Sequence, residues 1–144
     1  MEYISYQITI KELLSNLKAD AIDLHPAYQR NFIWTTTDQR LLIDSIHKEY
    51  PLPNFFVYRR KSNLLEMVDG QQRAMTIYRY YKGDFKDNQR KTFIETDQEQ
   101  FLNYKLNIIE ITKIFQDKGE SLEEFYWMVN KRGVHLNPAE VNKA

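Results

Sequence analysis

The chain has 144 residues with 20 basic and 20 acidic side chains, a formal net charge of zero and no cysteine. Hydrophobic residues make up 42% and aromatic residues 14%, which excludes a disordered chain, while the frequent charges exclude a membrane span. The zero net charge gives no overall attraction to nucleic acid or membranes, and the lack of cysteine excludes disulfides and thiolate sites. With no basic-then-apolar pattern at its start, we expect a cytoplasmic protein of one domain.

The first half of the chain is predicted to contain a strand and two helices. Thr9 can cap the first helix, and Thr36 with Gln39 forms a capping box, in which each side chain bonds the other residue's backbone N–H, at the start of the second. The side chains predicted to face inward on the second helix are Leu41, Leu42, Ser45 and Ile46. The predicted elements in chain order are a strand over 3–10, a helix over 10–17, an extended or irregular stretch over 28–34 and a helix over 36–48.

The second half is predicted to begin with a β-hairpin. Strands over 54–59 and 64–68 are separated by residues 60–63. The basic run Arg59, Arg60 and Lys61 is interpreted as a solvated turn between these strands or, alternatively, as a contact with a phosphate backbone. Together the elements predict a single α+β domain over 1–144. The remaining ones are a helix over 71–82, an exposed loop over 84–92, a helix opened by a Thr96–Glu99 capping box, a strand over 105–111, a helix from Ser121 and Glu124 to Gly133, and a helix start at Asn137 that indicates a fragment of a longer chain or a frayed terminus.

The segment 64–83 holds the largest group of candidate functional residues. In it a predicted apolar strand is followed by Asp69, Gly70 and a predicted helix that begins with Gln-Gln-Arg. The backbone N–H groups and the positive dipole end at the start of such a helix attract an anion. Arg73 can match two phosphate oxygens at once, and Gly70 allows a ligand to approach the main chain. Alternatively, Asp-Gly is only a turn and Asp69 a helix N-cap.

Basic residues concentrate in the middle of the chain. Residues 28–91 hold twelve Lys and Arg against seven Asp and Glu, a surplus of five, and they include the Asp-Gly-Gln-Gln-Arg segment. The three histidines, His25, His47 and His135, lack the spacing to carboxylates that a one-metal nuclease needs. We therefore interpret each histidine as a surface or capping residue.

Several motifs follow the order found in one family. They are Pro26 to Arg30, Trp34, Leu42 to Ile46, Pro51 to Pro53, Val68 to Arg73, and Asn130 to Gly133 with Leu136, Asn137 and Glu140. In this order the chain resembles the amino-terminal domain of GmrSD-type restriction endonucleases. That family is in turn similar to the ParB and sulfiredoxin superfamily, in which a Gly-x-x-Arg turn at a helix start holds nucleotide phosphates and an upstream Pro-x-x-Arg box precedes it.

The resemblance implies binding and hydrolysis of a nucleoside triphosphate with Mg²⁺, coupled to attack on modified foreign DNA. DNA and a separate nuclease domain or subunit are the further implied partners, since DNA cleavage by this chain itself is not expected. The implied catalytic residues are Asp69, Gln71, Gln72 and Arg73, with Asp69 as a Mg²⁺ ligand through the nucleotide. The implied nucleotide-binding residues are Gln29, Arg30, Gly70, Arg73 and Asn130.

Other interpretations stay open at this point. The chain could be a ParB-like module that grips DNA or a protein and hydrolyses nothing, or a remnant that lacks its partner domain. Arg30 could pair with Asp44 or Glu49, and Asn130 could cap a helix end. Tyr28 and Trp34 are interpreted as packing residues, with base stacking as the alternative.

Overall fold

The structure is a computed structural model that describes residues 1–24 and 32–133, with no side chains described for 130–133. The described residues form a five-stranded sheet and five α-helices. The strands are β1 Glu2–Thr9, β2 Ile22–Asp23, β3 Phe55–Arg59, β4 Leu65–Asp69 and β5 Lys105–Lys113. The helices are α1 Ile10–Lys18, α2 Thr36–His47, α3 Gln71–Tyr81, α4 Gln98–Asn103 and α5 Leu122–Gly133, with 3-10 turns at Phe93–Glu95 and Gln116–Lys118.

The sheet is mixed, with the strand order β1-β5-β3-β4-β2. The pairs β1–β5 and β3–β4 are antiparallel, whereas β5–β3 and β4–β2 are parallel. The predicted α+β class and the predicted hairpin, which is β3–β4, are both confirmed. The parallel pairs join strands far apart in sequence, so they depend on the helical crossovers between them.

The core lies between one face of the sheet and helices α1 to α4. Val57, Met67 and Ile108 point from the sheet into this core, where they meet buried residues of the four helices. Successive strand residues face opposite sides, so Phe56 lies on the other face, where its ring makes an edge contact with Phe125 of α5 at 5.5 Å between centroids. Within the described residues, no helix has the length and apolar character needed to cross a membrane.

The α2 cap differs from the prediction by one residue. Thr35 is the N-cap, and its box partner is Asp38, whose Oδ2 accepts from the Thr35 N–H at 3.0 Å. The Thr36–Gln39 box was therefore wrong, because a carboxylate is the stronger acceptor for a backbone N–H. Leu41, predicted to face inward, is 51% exposed. The residues of α2 that are buried are Gln39, Leu42, Ile43 and Ile46, a single stripe with helical spacing.

Two of the other predicted caps are confirmed and one is wrong. Thr9 caps α1 in a box with Glu12, and the Glu124 N–H donates to Ser121 Oγ at 3.1 Å at the start of α5. The Thr96–Glu99 box does not form. Asp97 caps α4 instead, and a box between Thr92 and Glu95 encloses the preceding 3-10 turn.

The loop over 84–92 was predicted to be exposed, but Asp87 is buried within it. Asp87 accepts from the Tyr80 hydroxyl at 2.7 Å and from two backbone N–H groups of its own loop, those of Gln89 and Lys91. His47 Nε2 lies 3.4 Å from the same carboxylate. These hydrogen bonds hold the pKa of Asp87 below its usual value, although burial opposes the shift. The loop is thus anchored to the ends of α2 and α3.

The basic run between β3 and β4 is also more than a solvated turn. The Arg59 Nε–H donates to Glu110 at 2.9 Å, and Arg60 contacts both Asp23 and Glu66. Lys61 is exposed, as the sequence predicted, and it takes part in none of the ion pairs found among the described residues. Arg60 therefore ties the two-residue strand β2 to β4.

Candidate functional site

The Asp-Gly-Gln-Gln-Arg segment forms the corner between β4 and α3. Asp69 ends the strand, Gly70 occupies the N-cap position and Gln71 begins the helix. The helical bonding starts with the Ala74 N–H, which donates to the Gly70 carbonyl at 2.9 Å. The interpretation of Asp69 as the N-cap is wrong, because the cap is Gly70, which has no side chain to accept a bond from the first turn. The predicted strand–glycine–helix geometry is confirmed.

Two features require glycine at position 70, namely its backbone conformation and the nearby ring of Phe55. Its φ of +114° lies in the left-handed region that residues with a β-carbon avoid. A Cβ at this position would lie 2.5 Å from Phe55 Cδ2. Phe55 is itself buried at the start of β3, so the ring cannot move aside without disturbing the core.

Arg73 lies under this corner and is almost completely buried, with 8% of its surface exposed. Its guanidinium donates to the Pro53 and Asn54 carbonyls, the latter at 3.1 Å, and its Cζ lies 4.3 Å from the Phe55 ring centroid. Asp69 Oδ2 lies 3.6 Å from the Arg73 Nη2 atom. Burial lowers the pKa of Arg73, which the Asp69 charge opposes, and a guanidinium stays protonated under such shifts. Arg73 thus fastens the segment before β3 to α3 and places a positive charge beneath its first turn.

Gln72 joins a second segment to the same corner. Its Oε1 accepts from the Ile33 N–H at 3.0 Å and from the Trp34 N–H at 3.1 Å. Gln71 and Gln72 are both buried. The indole Nε1 of Trp34 is buried too, and it donates to no acceptor in the part of the chain that the structure describes. A buried N–H without a partner is unusual in a folded protein, and here it lies on a residue that contacts the candidate site.

The structure brings five of the predicted site residues together, from Asp69 to Arg73. Gln29 and Arg30 lie outside the described residues, and so do His25, Tyr28 and the predicted helix start at Asn137. Asn130 belongs to α5, but its side chain is outside the described part. Sequence reasoning treated Trp34 as a packing residue, and no local signal could have revealed that its indole N–H is buried without an acceptor.

Asp69 is the acidic residue of this corner. Its side chain is 25% exposed at the carboxyl end of β4. In residues 1–24 and 32–133 no three His, Asp or Glu side chains are grouped to hold a metal unaided. A single carboxylate fits Mg²⁺, which proteins often bind through one or two carboxylates together with substrate phosphates.

A separate pocket of about 410 Å³ lies at the other end of the sheet. Its polar wall is a network in which the Tyr6 hydroxyl donates to Glu110 at 2.6 Å and Arg59 donates to both Glu110 oxygens. Arg59 holds the pKa of Glu110 below its usual value, and burial raises the pKa of Tyr6. Arg59 pairs across the hairpin with Leu65, whereas Phe56 pairs with Asp69, so this network is distinct from the corner.

Comparison with known families gives one match. Residues 10–144 match the model of the GmrSD restriction endonuclease N-terminal domain, which is most of the chain. Comparisons with curated proteins and with solved structures gave no match. The chain therefore belongs to the family of GmrSD restriction endonuclease N-terminal domains, which makes it a component of a restriction or phage-defence system.

Proposed function

We propose that this domain binds a nucleoside triphosphate at the β4–α3 corner and hydrolyses it with Mg²⁺, in support of a system that targets modified DNA. One observation carries the proposal. The Asp-Gly-Gln-Gln-Arg segment forms a strand–glycine–helix corner with Gly70 at φ +114° and a buried guanidinium beneath it, in a chain of this family. Such a corner combines a close backbone approach with positive potential.

The phosphates would be held by the backbone of the first turn of α3. The helical ladder starts only at Ala74, so the amide dipoles of the preceding turn point toward a ligand at the helix start. Gly70 leaves room there because it lacks a β-carbon. Arg73 adds a positive charge beneath the first turn of α3. Its hydrogen bonds to the Pro53 and Asn54 carbonyls hold the corner in its conformation. We therefore assign Arg73 to electrostatic support and positioning in addition to the phosphate contact that the motif implies.

Asp69 and a glutamine supply the proposed chemistry. Asp69 would hold Mg²⁺ bound to the nucleotide or orient water, and the metal would supply charge neutralisation at the phosphates. Gln71 is the better placed of the two glutamines to position the attacking water, because Gln72 Oε1 already accepts from Ile33 and Trp34. The role of Gln72 is then to hold the wall of the site.

Gln29, Arg30 and Asn130 complete the proposed binding site. Gln72 binds the backbone of Ile33, three residues after Arg30 in sequence, which supports including Arg30 and Gln29. The indole N–H of Trp34, which has no acceptor among the described residues, is a donor that the motifs alone did not indicate. A Trp34→Phe variant keeps an aromatic side chain but removes this donor, so it should weaken nucleotide binding by up to about tenfold.

The test is titration of the chain with each of the four nucleoside triphosphates and Mg²⁺ in a calorimeter, followed by phosphate-release assays. Asp69→Asn should leave the fold intact and lower turnover at least about a hundredfold. Asp84→Asn is the matched control, because Asp84 is exposed and pairs only weakly with Lys82 at 3.4 Å. Absence of binding for every nucleotide, by a chain with a normal unfolding transition, would refute the proposal.

A binding module without catalysis is the second candidate, and one observation favours it. Gln72 and Arg73 both bond the protein's own backbone, as expected for a corner that only stabilises the fold. In that case the chain should bind DNA or a partner protein with no effect of nucleotide. For DNA, the affinity should fall steeply with salt, because cationic contacts to phosphates release counterions.

A further inference from the structure

The two edges of the sheet are built differently. One edge is β2, which has only two residues and is closed by the ion pair between Arg60 and Asp23 at 3.0 Å. The other edge is β1, which has eight residues and, among the described residues, pairs only with β5. Short length and charge are the usual means of protecting an edge from further pairing. The β2 edge has both of them, whereas β1 is long and its single charge, Glu2, lies at its first position.

The sequence of β1 favours pairing with another strand. From Tyr3 to Thr9 it has no charged residue and no proline, and β-branched and aromatic residues predominate. Tyr3 is 64% exposed and Ile4 is 52% exposed. The register with β5 is regular except for one shift between Glu2 and Tyr3. The outer backbone groups of the strand are therefore presented as a regular row.

We propose that β1 pairs with β1 of a second copy of this chain, in an antiparallel register centred on Ser5. This register places Ile4 of each copy opposite Tyr6 of the other on one face of the sheet. On the other face, Tyr3 lies opposite Gln7, and Ser5 meets itself on the two-fold axis. Direct cross-strand neighbours lie about 4.5–5.5 Å apart, so a small residue on the axis avoids a collision between identical side chains.

The strand is thus self-complementary, which is the requirement for a two-fold interface. No like charges lie opposite each other, since Glu2, the one charged residue of β1, falls opposite Ile8. The result is a continuous sheet of ten strands in which the exposed side chain of Ile4 gains an apolar neighbour, the Tyr6 ring of the other copy. An interface limited to one strand belongs at the small end of stable interfaces, so we expect a dissociation constant in the range of about 1–100 µM.

The test is sedimentation velocity of the whole chain from about 1 to 300 µM, a range that brackets the expected constant. The wild-type chain should change from monomer to dimer within this range. Ser5→Lys should prevent the dimer by placing two ammonium groups against each other on the axis, raising the dissociation constant at least about tenfold. Ser5→Glu should act in the same way. Because Ser5 is exposed, neither substitution should alter the unfolding transition.

Mixing the two variants makes the test specific to the register. Equal amounts of Ser5→Lys and Ser5→Glu should form a heterodimer, since opposite charges then meet on the axis. Thr112→Lys is the matched control, because it adds the same charge to an exposed position of β5 away from the axis and should leave the dimer unchanged. A wild-type chain that stays monomeric at the highest concentration, as it would if another segment or protein covered β1, overturns the proposal. So does a mixture that stays monomeric.

Discussion

Replacing Gly70 by alanine tests whether the β4–α3 corner depends on a bare backbone. The substitution has two costs in the folded state. The left-handed conformation costs a residue with a β-carbon about 1–2 kcal/mol. The new Cβ would also lie 2.5, 3.1 and 3.2 Å from three atoms of the Phe55 ring, and overpacking a rigid core costs about 1–3 kcal/mol. Gly70→Ala should therefore lower the free energy of unfolding by about 2–5 kcal/mol.

Gly83→Ala is the matched control for the conformational part. Gly83 also has a positive φ, +83°, but a Cβ there meets nothing within 4 Å. Its replacement should cost only the conformational term of about 1–2 kcal/mol. Urea unfolding followed by tryptophan fluorescence gives both values, provided that the two transitions have the same slope.

A double-mutant cycle identifies the ring as the cause. Phe55→Ala removes all three ring atoms that the Cβ would meet, so the loss from Gly70→Ala should be smaller in the Phe55→Ala background by at least about 1 kcal/mol. If Gly70→Ala costs no more than Gly83→Ala, or if the cycle shows no coupling, the steric reasoning about this corner is refuted.

Three further predictions concern single contacts. Arg73→Lys keeps the charge but loses the planar fork that reaches the Pro53 and Asn54 carbonyls, so it should cost about 1–3 kcal/mol in urea unfolding, and full retention of stability would contradict that role. Gln72→Met removes the acceptor of two backbone N–H groups, and hydrogen exchange at those two amides should become faster while exchange in β5 stays unchanged. The pKa of Glu110 is lowered chiefly by its hydrogen bonds from Arg59. The ion pair therefore contributes its full stability above the pKa of Glu110 in the unfolded chain, about 4.3, and this stability is lost as the pH falls through the lower pKa of the folded chain. Glu110→Gln should flatten this acid limb of the stability profile, and an unchanged limb would show that the pair does not contribute.

The sequence alone was sufficient for features that depend on neighbouring residues. The strand, glycine and helix around Asp69 to Arg73 could be predicted because an apolar run, an Asp-Gly pair and a helical period adjoin one another. The Thr9 and Ser121 caps follow from the same kind of local pairing. The α2 cap depends on local pairing too: Thr35 and Thr36 are adjacent candidates, and the carboxylate of Asp38, three positions after Thr35, decides between them.

Tertiary structure decided what surrounds the corner. Arg73 reaches the carbonyls of Pro53 and Asn54, about twenty positions earlier, and Gln72 reaches Ile33 across 39 positions. Arg59 meets Glu110 across 51 positions because β3 and β5 are parallel neighbours in the sheet. Sequence patterns extend over one or two turns of a helix or the length of a strand, so they name the side chains that a corner contains. Which partners those side chains bind depends on the order in which distant strands pair, and the chain sets that order only when its whole core packs together.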